Sequence, residues 1–384
     1  MELNRNKHKI IIIVGPTASG KSDLGIKIAK KYNGEIISAD SRQVYKGMDI
    51  GTGKVKKDKY RIYDLRFKNK KNNSKILNHK SYISNGVIHH LVDVTSPKKQ
   101  FTADDFKRLG GKAITDITRR HKLPIIVGGT GFYIDILLGR MATAEVPPNP
   151  KFRKKLEKLE IDKLFAKLKK LDPEGAKIID RHNKRRLVRA LEINLAKKER
   201  VNRNVNTESD SNFYHDRDKN YYIKYKTLWL GINPGKDGLA QNIKNRLDQR
   251  LKPFLAKAST VGQTKSSFDS IKSTNKQGII EEVQKLRKQG LSWTRLDAFG
   301  LEYRWISRWL IQNTKTKNQN DNVKMKSFKN SDEYKNLLRA IVRYSKRQMT
   351  WFKRNKEIHW LAPSKVEKIK NHKTAEHLVQ QFLN

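Results

Sequence analysis

The sequence predicts an α/β fold: a doubly wound parallel sheet with an inserted helical domain and C-terminal helices. Three observations predict it. Short apolar runs at 10–14, 35–39 and 123–127 alternate with amphipathic segments, the pattern of parallel strands joined by helices. The first run leads into Gly15-Pro16-Thr17-Ala18-Ser19-Gly20-Lys21-Ser22, which fits G-x-x-x-x-G-K-[ST] without mismatch. A proline-rich breaker at 147–150 is followed by helical periodicity, until a strand-like run at 227–232 returns to the sheet.

Residues 10–14 read as a buried strand and 22–32 as a helix that stops at Gly34. Strand, glycine loop, helix is the context of a P-loop-type fold. Its backbone N–H groups and helix N-terminus attract one anion. Lys21 is placed to reach a terminal phosphate, and the Ser22 hydroxyl to coordinate Mg²⁺. Which phosphate is held does not follow from the loop. The strand at 35–39 ends on Asp40, which either faces the phosphate crevice or serves as a turn residue. A polar, glycine-punctuated loop follows at 42–54, then a basic, irregular stretch at 56–82 with room for a short hairpin. Residues 89–94 return to a strand pattern. Adjacent His89 and His90 then point to opposite faces, which disfavours a paired metal site. Helical spacing covers 101–121. The strand at 123–127 ends in Gly128-Gly129-Thr130-Gly131, where a motor-type NTPase commonly has a metal-holding Asp. Glycines there permit close approach to a ligand, and Thr130 offers a hydroxyl or is a turn residue.

The core is assigned to 1–145 and 226–384, and a helical insertion domain to 146–225. Within the insertion, 151–168 read as one amphipathic helix and Asp172-Pro173-Glu174 as the start of another. Arg185 and Arg189, four apart, share a helix face that suits phosphates or simply water. Residues 199–220 form a polar insert. Helical patterns resume from Leu239, at 278–289 and from Phe299, with polar inserts near 256–276 and 313–330. A long amphipathic helix at 334–352 ends in basic residues interleaved with aromatics, which suits either RNA contact or a core edge with a solvated rim.

Lys plus Arg number 84 against 38 Asp plus Glu, a formal net charge of +46. A polyanion, nucleic acid first, is the simplest partner, although a general lysine bias contributes. There is no cysteine, which excludes disulfides and thiolate zinc sites. The apolar run at 10–14 is too short for a signal-peptide core, and no run approaches the roughly 20 residues of a membrane span. A cytoplasmic protein without membrane association is expected.

Together these motifs resemble the bacterial tRNA dimethylallyltransferase (tRNA isopentenyltransferase) family over most of the chain. The resemblance rests on GPTASGKS at 15–22, SADSRQVYKGMDIGTGK at 38–54, HHLVDV at 89–94, FTADDF at 101–106, PIIVGGTGFY at 124–133, RRLVRALE at 185–192 and AIVRYSKRQMTWFKR at 340–354. It implies transfer of a dimethylallyl group from dimethylallyl diphosphate to N6 of the adenosine 3′ of the tRNA anticodon, with Mg²⁺. It further implies Asp40 as general base and Lys21 as a catalytic cation. Gly15, Pro16, Thr17, Ala18, Ser19, Gly20, Lys21, Ser22 and Arg246 would bind the diphosphate, with Ser22 on the metal. Asp40, Ser41, Arg42, Gln43, Thr130, Arg153, Arg185, Arg186, Leu187, Val188 and Arg189 would meet the tRNA anticodon loop. A monomer is expected. The chain departs from the family at Asn242, where an Arg is usual, so that Arg246 and Arg250 compete for the diphosphate role. Its polar inserts are also longer. Two alternatives are an adenylate isopentenyltransferase and an ATP-dependent small-molecule kinase. A third is a non-catalytic RNA-binding NTPase, disfavoured by the absent Asp after Val127.

Overall fold

The computed structural model describes residues 8–58, 60–62, 80–144, 146–202, 225–252, 278–313, 321–361 and 367–384. The chain divides into two compact units, 1–138 with 219–384, and 139–218. The second begins ahead of the 147–150 breaker, in which Pro150 is the first residue of a helix.

The first unit opens with β1 (His8–Val14), α1 (Lys21–Lys31), β2 (Gly34–Ala39), β3 (Tyr60–Ile62), β4 (Lys80–Ser84), β5 (Val87–His90), α2 (Ala103–Arg119), β6 (Leu123–Gly128) and α3 (Gly131–Leu137). The 139–218 unit carries α4 (Pro150–Leu156), α5 (Ile161–Leu171), α6 (Pro173–Ile178) and α7 (Lys184–Asn202). The chain then returns with β7 (Tyr225–Ile232), α8 (Lys236–Leu251), α9 (Ile279–Lys288), α10 (Trp293–Phe299), α11 (Leu301–Gln312), α12 (Asp321–Lys329), α13 (Asp332–Phe352), β8 (Ile358–Leu361) and α14 (Glu367–Leu383).

Among the described residues eight strands form one sheet in the order β3-β4-β5-β2-β6-β1-β7-β8. Pairings from β5 to β8 are parallel, and the β3–β4–β5 edge is antiparallel. Residues 10–14 of β1 are fully buried because both faces are covered, as parallel sheets require. On one face α2 and α3 pack Phe106, Ile114, Ile117, Ile134 and Leu137 against Ile10, Ile12, Ile37 and Ile126. On the other, α1 and α14 cover Ile11, Ile13, Ile36 and Ile125. A third cluster joins α8–α13 to Val44, Tyr45 and Met48. The helices of the 139–218 unit bury Leu156, Leu164, Leu168, Leu187, Val188 and Leu191. Among the described residues no helix is long and apolar enough to cross a membrane.

Several expectations change. The strand at 89–94 stops at His90, because Leu91 and Asp93 adopt left-handed backbone at φ 62° and 58°. The His pair does diverge: His90 Nε2 meets Glu35 at 2.7 Å, while His89 is buried beside Tyr82 and burial lowers its pKa to about 4. The single helix at 151–168 is two, separated by a turn in which the Leu159 N–H donates to the Leu156 carbonyl. Part of the 313–330 insert is α12, anchored by fully buried Phe328. β8 and α14 were not expected. The insert at 256–276 and most of 199–220 lie outside the described residues.

Candidate active site

The parallel order β2-β6-β1-β7 puts three strand ends side by side. Asp40 follows β2, Gly129-Thr130 follows β6, and the phosphate loop follows β1. With strands about 4.8 Å apart, Asp40 stands two strands, roughly 10 Å, from the loop. A crevice at such carboxyl ends is where open α/β sheets bind ligands.

The loop itself is strained into a cradle. Ala18 (φ 61°) and Gly20 (φ 89°) are left-handed, and Gly20 precedes the first turn of α1. A Cβ on Gly15 would meet Ser19 Oγ at 2.8 Å. The Ser19 hydroxyl is buried without a hydrogen-bond partner among the described residues. An orphaned hydroxyl in such a cradle fits an absent anion. Lys21 folds back to the Pro16 carbonyl at 3.0 Å. Its pKa is lowered to about 8, first by burial and then by Arg246, with Arg250 adding and Asp40 opposing. Arg246 is likewise lowered to about 10, by burial and by Arg250. Burial first and neighbouring cations second disfavour charge on Lys21 and Arg246, and a bound anion would favour it.

The arginines ride on the 47–54 loop. Arg246 donates to the Gly53 carbonyl at 3.2 Å, and Arg250 to the Gly51 carbonyl at 3.3 Å and to Glu302 at 2.8 Å. Arg250 is thus partly neutralised, whereas Arg246 has no ion pair among the described residues. The loop is fixed from below by Glu282, which accepts from the Asp49, Ile50 and Gly51 amides and the Tyr303 hydroxyl at 2.7–3.0 Å. Burial raises the Glu282 pKa against those hydrogen bonds.

At the other end of the crevice Asp40 is a turn residue. Its Oδ1 accepts from the Arg42 and Gln43 amides at 2.9 and 3.3 Å, which closes a turn. Its Oδ2 makes no hydrogen bond among the described residues. The Ser41 amide donates to Thr130 Oγ1 at 3.2 Å, tying β2 to β6. Arg42 lies 3.7 Å from Glu302. Gln43 is spent internally, on Ser38 and on the Thr52 and Gly53 carbonyls, so it braces the arginine loop rather than presenting a free side chain.

Two residues of α13 complete the crevice and escaped the sequence reading as site residues. Gln348 accepts from the Thr17 amide at 2.9 Å and donates to the Gly129 carbonyl at 2.8 Å, clamping the phosphate loop to the loop after β6. The Tyr344 phenol neighbours Thr130, and its pKa is raised by burial and then by Asp40. The glycines after β6 lie against α13. A Cβ on Gly129 would strike Gln348 at 2.2 Å, and one on Gly131 would strike Trp351 at 2.2 Å. They admit the side chains of α13. The Q-M-T-W spacing was the available signal, because Gln348 and Trp351 lie three apart on one helix face.

In the 139–218 unit, Arg185 and Arg186 are exposed. Leu187 and Val188 are 0% and 3% exposed core residues, so their side chains face the helical core rather than a partner. Arg153 and Arg189 both grip buried Glu192, with Arg153 Nη2 at 2.6 Å, and Arg189 also caps the Val146 carbonyl at 2.8 Å. Burial raises the Glu192 pKa, but Arg153, the Asn149 amide and Arg189 outweigh it and hold the carboxyl below its ordinary value.

Comparison with known proteins agrees with this geometry. The family model described as IPP transferase matches residues 43–257 and 270–355. A tRNA dimethylallyltransferase of Carboxydothermus hydrogenoformans is 33% identical over 383 residues, covering 98% of this chain and 99% of the relative. A solved tRNA isopentenylpyrophosphate transferase from Staphylococcus epidermidis is 30% identical with a TM-score of 0.53, over 98% of this chain and all of that one. A eukaryotic dimethylallyltransferase solved acting on tRNA shares the fold at a TM-score of 0.63 and 22% identity, over 97% of this chain and 78% of that one. With a strand-end crevice of this construction and relatives of this similarity over nearly its full length, the chain belongs to the IPP transferase family, the family of the tRNA dimethylallyltransferases.

Proposed function

We propose that this protein transfers a dimethylallyl group from dimethylallyl diphosphate to N6 of the adenosine 3′ of the tRNA anticodon, releasing diphosphate. What supports the reading is the pairing of a cationic cradle with a carboxylate oxygen, Asp40 Oδ2, that makes no hydrogen bond among the described residues, at strand ends roughly 10 Å apart by strand spacing. That gap suits a five-carbon group between leaving group and base.

The acceptor amine is a weak nucleophile because its lone pair is delocalised into the ring. Asp40 Oδ2 removes its proton as the new C–N bond forms, a contribution of roughly 10²–10⁴ in rate. As the C–O bond to the diphosphate breaks, Lys21, Arg246 and the loop amides neutralise the charge that grows there. Arg246 is the phosphate-side arginine, since Arg250 is held by Glu302. Among the described residues no three carboxylate or imidazole groups converge as a cage. A divalent ion, Mg²⁺ by its habit of sharing ligands with phosphates, would sit on Ser22 and diphosphate oxygens and add Lewis-acid charge there. The base is reached only if the adenosine leaves its stack, at a cost of a few kcal/mol. Contacts of Arg42, Arg185 and Arg186 with backbone phosphates would offset this.

Labelled dimethylallyl diphosphate offered with tRNA or with adenosine monophosphate tests the reading. Label in tRNA alone is expected. Label in the mononucleotide alone would favour the adenylate enzyme. A smaller prediction concerns Gly53, which is left-handed at φ +63° and whose added Cβ would lie 1.9 Å from Arg250 Nη2 and 2.8 Å from Arg246 Nη2. Gly53→Ala is expected to swing both guanidinium ends away, at about 1 kcal/mol of backbone strain. The KM for dimethylallyl diphosphate should rise while melting temperature falls only slightly.

A further inference from the structure

The two arginines beside the phosphate cradle are not equivalent. Arg246 and Arg250 lie one turn apart on α8, and their guanidinium ends meet beside Gly53. Arg250 is near enough to Lys21 and Arg246 to lower the pKa of both. Of these three cations only Arg250 has an ion pair among the described residues, with Glu302 at 2.8 Å. The pair is nearly out of solvent, at 14% exposure for the Arg250 side chain and 5% for that of Glu302. The other Glu302 oxygen lies 3.7 Å from Arg42.

The backbone is bent to bring Glu302 there. Gly300 and Leu301 are both left-handed, at φ 71° and 42°. That conformation is uncommon for a bulky residue such as leucine and is held only where the surrounding structure enforces it. Glu302 then stands in the first turn of α11, where the helix N-terminus favours an anion. An apolar side chain would fill the same place without the desolvation cost of a buried carboxylate. The charge of Glu302 therefore has a use at the site beside it. Donor and released product carry the same anionic end, so every cation that binds the donor also retains the product. A free Arg250, with its end beside that of Arg246, would reach the same anion and slow its departure.

We propose that Glu302 is a positioning residue for product release: as the counter-ion of Arg250 it holds that guanidinium off the diphosphate, so that Lys21 and Arg246 bind the leaving group and let it go after transfer. The proposal rests on the donor being a diphosphate. Glu302→Gln keeps the volume and a carbonyl oxygen but not the charge. Titration calorimetry with inorganic diphosphate and Mg²⁺ should show binding about tenfold tighter than in wild type. Single-turnover transfer to tRNA should stay within a few-fold, while steady-state turnover falls and inhibition by diphosphate strengthens. A purely structural role predicts the reverse, weaker diphosphate binding and a slower single turnover. The double variant R250M/E302Q removes the pair together and leaves no buried charge alone, which keeps the test open if Glu302→Gln folds poorly. Its diphosphate affinity should return to within a few-fold of wild type. Unchanged or weaker binding in Glu302→Gln, or lost binding in the double variant, would overturn the proposal. Wild-type protein that binds no diphosphate would overturn the reading of the cradle along with it.

Discussion

Asp40→Asn is expected to slow transfer to tRNA by roughly 10²–10⁴ while tRNA affinity changes only a few-fold. Asparagine is the diagnostic replacement. It keeps an oxygen for the Arg42 and Gln43 amides, so the turn that Oδ1 closes survives. What is lost is the proton acceptor at Oδ2. Alanine would remove turn and base together and confound them. Single-turnover transfer with saturating dimethylallyl diphosphate reads the chemical step, and a separate binding isotherm reads tRNA. Near-normal turnover in Asp40→Asn would remove the carboxylate from the mechanism. A matched loss of binding would make it a structural residue only.

Lys21→Ala is expected to cost about 10²–10³ in rate, because a pre-placed charge at the leaving group acts chiefly in the transition state. The same residue sets a pH dependence. In the free site its pKa is about 8, below the ordinary 10.5, so it is charged below pH 8 and neutral well above it. Bound diphosphate favours the charged form. Above pH 8 binding must therefore take up a proton, and affinity should fall by up to tenfold per pH unit. For folding the sign is opposite. A lowered native pKa penalises the folded state while Lys21 is charged in it, so stability without ligand should rise between about pH 8 and 10.5. Calorimetric titration of dimethylallyl diphosphate across pH 7–9.5 checks the first statement. In Lys21→Ala this part of the pH dependence should vanish. An unchanged profile would put the titrating group elsewhere.

Much of the core was legible because its strands are buried on both faces and read as unbroken apolar runs, as at 10–14. The helices α2 and α13 were legible from their apolar spacing, and α2 begins with a Thr102–Asp105 capping box. The C-terminal edge was not. β8 has four residues whose outer pair is buried and inner pair exposed, so it has no period of two. α14 packs Ala375, Leu378, Val379, Phe382 and Leu383 on the sheet, a helical spacing that the sequence reading passed over. The split of 151–168 was hidden because Leu156, Leu164 and Leu168 keep facing one core across the turn.

In the crevice, spacing located the cradle and Asp40, since both lie at strand ends. It did not reveal that the Thr17 amide is occupied by Gln348, 331 residues away in the chain. Nor did it show that Arg250 pairs with Glu302. Leu187 and Val188 came with a contiguous motif, and helical geometry turns them inward while Arg185 and Arg186 face out.

The most direct measurement is mass spectrometry of the nucleosides and anticodon-loop fragments of unmodified tRNA after incubation with this protein, dimethylallyl diphosphate and Mg²⁺. The account predicts one added C5H8 unit, on N6 of the adenosine 3′ of the anticodon. Unaltered adenosine at that position, with the protein folded and able to bind tRNA, would contradict it.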